Sequence, residues 1–140
     1  KAAAKMGIPQ VVCTGCVDFF VQGAKETIPE KWHGRQMYYH NPKFTLIRPS
    51  HAEMRTIGAT AAERLNQAKG PATVILPLKG MSIGGLEGGV THDPQGDRIL
   101  FDAIKEGLRE DIPLIEAPLQ VNEEAFADLI VKEFVSLMSR

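Results

Sequence analysis

From residue 50 onward, hydrophobic positions alternate between two periods. Residues 73–76 and 113–117 are short apolar runs of the length of buried strands. Three longer segments repeat their apolar residues every three or four positions, the spacing of one helix face. The first carries Met54, Ile57, Ala61, Leu65 and Ala68, with Gly58 and Ala62 beside them. Ser50-His51-Ala52-Glu53 in front of it is a capping box, and Gly70-Pro71 ends it. The second turns Leu100, Phe101, Ile104 and Leu108 inward behind Asp93 as N-cap and Pro94 at the first helical position. The third, capped by Asn122, has Phe126, Leu129, Ile130, Phe134, Leu137 and Met138 as its buried stripe.

The first third of the chain is less regular. Residues 1–6 read as the last turns of a helix with Gly7 as its left-handed C-cap and Pro9 just beyond, so the chain looks cut from something longer. Residues 8–12 read as a strand buried on both faces. Thr14, Gly15 and Asp18 leave its end, Ile28-Pro29-Glu30 breaks any helix, and Trp32 is the one tryptophan that can anchor a long, partly irregular connection. Residues 36–40 and 44–47 are extended candidates separated by the turn-forming pair Asn41-Pro42, which fits one or two short strands.

Alternating strands and helices predict an α/β fold: a three-layer, mainly parallel sheet with helices on both faces, Rossmann-like, joined by right-handed crossovers. The 140 residues fit one domain, 1–140. Composition is that of a soluble globular protein, with 44% hydrophobic and 24% charged residues. A net charge of −1 without basic clustering argues against a nucleic-acid groove. No apolar run is long enough to span a membrane and no signal-peptide pattern opens the chain, so the expected location is cytoplasmic. A symmetric homodimer is the commonest assembly and is compatible with such a chain.

Candidate chemistry concentrates at residues 77–89, PLKGMSIGGLEGG, where five of the thirteen glycines fall. A glycine loop after a parallel strand and before a helix can offer backbone N–H groups and the positive helix end to an anion. Gly80, Gly84 and Gly85 would surround that anion, Lys79 would add a point charge and Ser82 a hydroxyl. The string matches neither the P-loop nor the dinucleotide fingerprint, so a connector whose glycines only permit turns is the alternative.

His92 beside Asp93 is an acid–base candidate, although helix capping also explains Asp93. His40-Asn41-Pro42 either places an imidazole and an amide at a strand end, in the crevice where α/β sheets bind ligands, or simply makes a turn. His51, in a first helical turn, is expected to face water. Arg48 would pair with a ligand phosphate or carboxylate, or with Glu53. Asp18 would orient a ribose or a metal. Cys13-Thr14-Gly15-Cys16 has redox spacing but does not open a helix, and Asp18 would raise a nearby thiol pKa. His33 and His40 lie outside zinc-finger spacing, so no metal site is assigned and the thiols read as small, buried or half-buried side chains.

GIPQVV at 7–12, HNPKFTLIR at 40–48, LNQAKGPATVILPLKGMS at 65–82 and VNEEAFADLIV at 121–131 carry a resemblance. They resemble the C-terminal part of a family of mostly uncharacterised bacterial, fungal and plant proteins that includes a tomato mosaic virus resistance protein. Lys79, Gly80 and Ser82 match the family's loop and His40, Asn41 and Pro42 its other polar motif, whereas Cys13 to Cys16 depart from its pattern. The resemblance implies the second of two α/β subdomains, with the missing N-terminal half as a partner. It also implies ATP, taken with magnesium, as the ligand to test. Three functions follow as expectations: a subdomain binding a nucleotide or other phosphate-containing small molecule at 77–89; an enzyme acting on a small phosphorylated or carboxylated metabolite, with His92 or His40 as base and Asp18 or Asp93 as partner; or a protein-interaction module.

Overall fold

A computed structural model describes residues 2–139. Along the chain these form α1 (Ala2–Met6), β1 (Gln10–Cys13), β2 (Phe20–Gln22), β3 (Met37–Asn41), β4 (Phe44–Ile47) and α2 (His51–Leu65). They continue as β5 (Ala72–Pro77), α3 (Pro94–Gly107), β6 (Leu114–Ala117) and α4 (Glu124–Met138). A parallel sheet runs β1-β5-β6, and β5, paired on both sides, is buried at every position.

The period-2 alternation of β5 sorts its side chains into two cores. Val74 and Leu76 pack with Met54 of α2 and Leu100, Phe101 and Ile104 of α3, while Ile75 packs with Ala117 and Phe126 of α4. Helices therefore cover both faces, which is the three-layer α/β arrangement predicted from the strand and helix periods. Gly58 has its own reason: a Cβ there would sit 2.6 Å from the Leu100 carbonyl oxygen, so its absence lets α2 and α3 approach closely.

The helix signals hold in detail at two of three starts. Glu53 N donates to Ser50 Oγ at 3.3 Å and Ser50 N donates to Glu53 Oε2 at 2.7 Å, completing the capping box. Gly96 N donates to Asp93 Oδ1 at 2.9 Å, with Pro94 first in the helix. At α4 the cap is Glu123, not Asn122, and no side chain caps it. The turn before α4 is organised by Gln120: its N donates to Glu123 Oε1 and its Oε1 accepts from Asn122 N, which leaves Asn122 one residue outside.

The stripe of α4 is also wider than the sheet it covers. Phe126 and Leu137 are buried, but Phe134 and Met138 are 42% and 61% exposed. At 3.6 residues per turn these two lie about 80° and 120° round the helix from Phe126, beyond the sheet's reach.

Residues 36–47 do not join the parallel sheet. β3 and β4 form a hairpin in a separate antiparallel sheet ordered β2-β4-β3, and β2 lies within the stretch read as irregular. The reversal is made by Asn41, whose Oδ1 accepts from the backbone N–H of Lys43 (2.9 Å) and Phe44 (3.0 Å), an Asx turn. Trp32 anchors the connection as expected, edge-on to Phe20 with ring centroids 5.1 Å apart. Gly7, at φ +72°, ends α1 as its position suggests. Among the described residues no helix is long and apolar enough to cross a membrane.

Candidate functional site

The segments leaving β1, β5 and β6 converge at the C-terminal edge of the parallel sheet, and the glycine loop lies between the other two. It is hydrogen-bonded along its length. Cys16 N donates to Met81 O (2.8 Å), Lys79 N to Leu119 O (3.1 Å) and Val121 N to Gly80 O (3.0 Å). Within the loop, Leu86 N donates to Ile83 O, Gly89 N to Leu86 O and Thr91 N to Gly84 O.

Those bonds alter the expected anion cradle. Several loop N–H groups are spent on the loop's own turns, and the carboxylate of Asp93 already occupies the start of α3, where the helix dipole would attract an anion. The loop's ordered path rests on a buried polar network beneath it. Gly85 N donates to Ser82 Oγ (3.1 Å), and Ser82 Oγ donates to Asp18 Oδ2 (2.5 Å). Asp18 is fully buried, and Arg48 NH1 lies 3.8 Å from its Oδ2. Arg48 also donates to Asp97 Oδ1 at 2.5 Å and to the carbonyls of Thr91 and Asp93.

Arg48 and Asp18 are thus structural ions, not exposed ligand contacts, and Ser82 is a pin for the loop. Burial dictates this pairing, because a guanidinium removed from water must exchange its hydration for fixed acceptors. Burial raises the Asp97 carboxyl above its ordinary pKa, partly offset by Arg48, while Asp18 and Asp93 push it the same way as burial. Burial also acts to raise Asp93, but the Gly96 N–H, His51 and Arg48 together hold it below the usual value.

Glu53, the other partner considered for Arg48, is taken by Arg35 at 2.6 Å. The Arg35 hydrogen bond, against a smaller opposing effect of burial, lowers Glu53 from 4.5 to about 2. A carboxylate with a depressed folded-state pKa contributes stability above its unfolded pKa and loses it as pH falls through the folded value. Glu53 is almost half exposed, so solvent screening limits the pair to about 1 kcal/mol. Glu53→Gln is expected to cost that much at pH 7, and the difference from wild type should close between pH 4.5 and 2 in acid-series denaturant titrations. A pH-independent difference would mean the ion pair contributes nothing.

The sequence-derived histidines separate in space. His92 lies at the site, where its Nδ1–H donates to Gly85 O at 2.9 Å; because a carbonyl only accepts, the neutral ring carries its lone pair on Nε2. Asp93 does not partner it. That carboxylate accepts from His51 Nε2 at 2.9 Å, so His51 faces water as expected, with 45% of its side chain exposed, and is also tied to the α3 start. His40 and Asn41 lie away from the crevice, on the exposed hairpin, with His40 6.0 Å from the Tyr38 ring. Cys13 is half-buried and Cys16 exposed, both free thiols, and Cys16 adopts φ +58° in the turn that holds Met81.

Asp97 and Thr91 were not singled out by sequence reasoning. Asp97 had a signal: it falls on the apolar stripe of its helix with Leu100, Phe101 and Ile104, and a charge there needs a buried partner. Thr91 had none.

Above the network opens a cleft of about 610 Å³ between the loop, α3 and the 118–123 segment. Leu78, Leu86 and Phe101 form its apolar wall, with Lys79, His92 and Gln120 as polar groups. Glu87 and Glu123 also reach it, and among the described residues no cluster of three or more metal-ligating side chains is present. Lys79 makes no ion pair among the described residues, unlike Arg98 at the rim, which pairs with Asp102 and Glu116.

Fold and site define a three-layer α/β domain with an open cleft at the C-terminal edge of its parallel strands, built over a buried arginine–carboxylate network. The chain belongs to the uncharacterised protein family UPF0261, whose C-terminal-domain profile matches residues 1–138. It is 37% identical over 141 residues to a UPF0261 protein of Clostridium tetani, covering all of this chain and 35% of that protein. It is 36% identical to one of Mesorhizobium japonicum, covering 92% of this chain and 33% of the relative. Tomato (Solanum lycopersicum) ToMV resistance protein Tm-1 is 30% identical over 132 residues, 93% of this chain and 18% of that protein. The chain therefore spans about a third of the length of the bacterial relatives it matches.

Proposed function

We propose that this domain binds an anionic small molecule with an apolar body, of which a nucleotide is the leading example, in the cleft beside the glycine loop. One observation carries the reading. Lys79, which makes no ion pair among the described residues, stands beside an apolar wall of Leu78, Leu86 and Phe101 in a cleft of about 610 Å³ at the carboxyl ends of β5 and β6. Small-molecule sites commonly have this size, and open α/β sheets place them at this edge. Recognition then rests on Lys79 and the cleft wall. The helix start is not available for it, because Asp93 fills that position.

The cleft's volume is of the size small-molecule sites commonly have, and among the described residues it gathers no cluster of three or more metal-ligating side chains. Magnesium entering with a nucleotide would be held largely by phosphates and water, with Glu87 and Glu123 as carboxylates lining the cleft beside Asp97, which Arg48 already engages. Calorimetry on the full-length protein with magnesium-ATP is expected to give saturable heat. Lys79→Ala should weaken it by about tenfold or more, the loss of one charge-assisted contact. Unchanged affinity in that variant, or no heat from the wild type, would overturn the reading.

A second reading is favoured by His92. Its Nε2 lone pair is left free by the Nδ1 bond to Gly85, the state a general base requires. An enzyme acting on a small phosphorylated or carboxylated metabolite would use His92 without Asp93, whose carboxylate is engaged elsewhere.

A further inference from the structure

Strand β1 lies at the edge of the parallel sheet but is composed like an interior strand. Gln10–Cys13 has no charge and no bulge, and its one nearby proline, Pro9, precedes the strand, so it lacks the devices with which edges block further pairing. Val11 joins the core under α4, and Val12 faces the α2 side. Both faces are thus apolar, yet all four residues are only half-buried, in contrast to β5.

The hydrogen-bond pattern identifies the free groups. Gln10 N donates to Pro71 O at 3.0 Å. Alternate residues of a parallel strand address opposite neighbours, so Gln10 and Val12 bond to β5 while Val11 and Cys13 turn their N–H and C=O toward the open edge.

Beside that edge an apolar groove of about 390 Å³ runs between β1 and α2, walled by Val12, Val17, Ile57, Ala61 and Leu65. Thr14, whose hydroxyl is buried without a hydrogen-bond partner among the described residues, also lines it. A second hollow shares Val17 and Ile57 and extends the strip to Phe19, Phe20 and Trp32. Met6 and Ile8, just before β1, are exposed apolar side chains on the approach to the same strand.

We propose that in the intact protein β1 is an interior strand. A strand from the region that precedes this domain in the longer family chain pairs with its open edge through Val11 and Cys13, and the attached segment covers the groove along α2. Three observations select this occupant over a second copy. The matching family model is that of a C-terminal domain, the chain spans about a third of its bacterial relatives, and the apolar surface continues onto Met6 and Ile8, the side from which a preceding segment would arrive.

The test is residue-resolved amide exchange by NMR on the full-length protein, at a concentration where light scattering reports a monomer. Val11 and Cys13 amides are expected to exchange about a hundredfold or more slower than unstructured amides and within about tenfold of Val12. Exchange of Val11 and Cys13 at near-unstructured rates beside a protected Val12 would overturn the proposal. Protection that appears only on dimerisation would overturn it too, by giving the edge to a second copy.

Discussion

Arg48→Met is expected to destabilise the domain by about 3–5 kcal/mol, the cost of leaving buried carboxylates without their counter-ion. Arg48 is 4% exposed and, among the described residues, is the one cation paired with Asp18, which is fully buried, and with Asp97. Methionine replaces much of the volume, so the loss is electrostatic more than a matter of packing. On a domain of this size the melting temperature should fall by roughly 10 °C or more. Arg48→Lys should recover only part of it, because an ammonium cannot serve Asp97 and the carbonyls of Thr91 and Asp93 with the same planar fork. Adding Asp97→Asn to Arg48→Met should return part of the stability, since one of the stranded charges is gone. Additive losses in that cycle would show that the two side chains do not depend on each other.

Gly85→Ala attacks the same network from the loop side. A Cβ there would lie 2.5 Å from Asp18 Oδ2 and 3.5 Å from Ser82 Oγ. Neither neighbour can retreat cheaply: the aspartate is fully buried beside Arg48, and the serine is held between Asp18 and the Gly85 N–H. Overpacking of this kind costs about 3 kcal/mol, and here it also displaces the loop that floors the cleft. The variant should therefore lose thermal stability and magnesium-ATP affinity together, whereas Lys79→Ala should lose affinity alone. A Gly85→Ala protein that melts like wild type would mean the loop is not pinned by the network.

The contrast between these variants shows why the site was only partly legible. Lys79, the glycines and His92 stand together because they are neighbours in one loop, and local sequence reports such proximity directly. Asp18, Arg48 and Asp97 come from three separated segments. As isolated charges, Arg48 suits a ligand phosphate or carboxylate and Asp18 a ribose or a metal, and only burial turns the two residues toward each other. His40 and Asn41 erred in the other direction. The Asn-Pro pair was correctly a turn, but the hairpin it closes belongs to a second sheet that carries His40 away from the crevice.

What the sequence determined by itself was governed by spacing along the chain. The capping box at Ser50, the Asp93-Pro94 start, the two apolar faces of β5 and the inner stripe of the helices each depend on residues within a few positions, whose geometry is fixed by helical and strand periods. Tertiary structure decided what depends on distance in space: which acid meets Arg48, that Asp93 turns to His51 and away from His92, that β2 joins the hairpin of β3 and β4, and that β1 has an open edge. Such pairings are set by desolvation and close packing between segments tens of residues apart, and no local pattern encodes the partner.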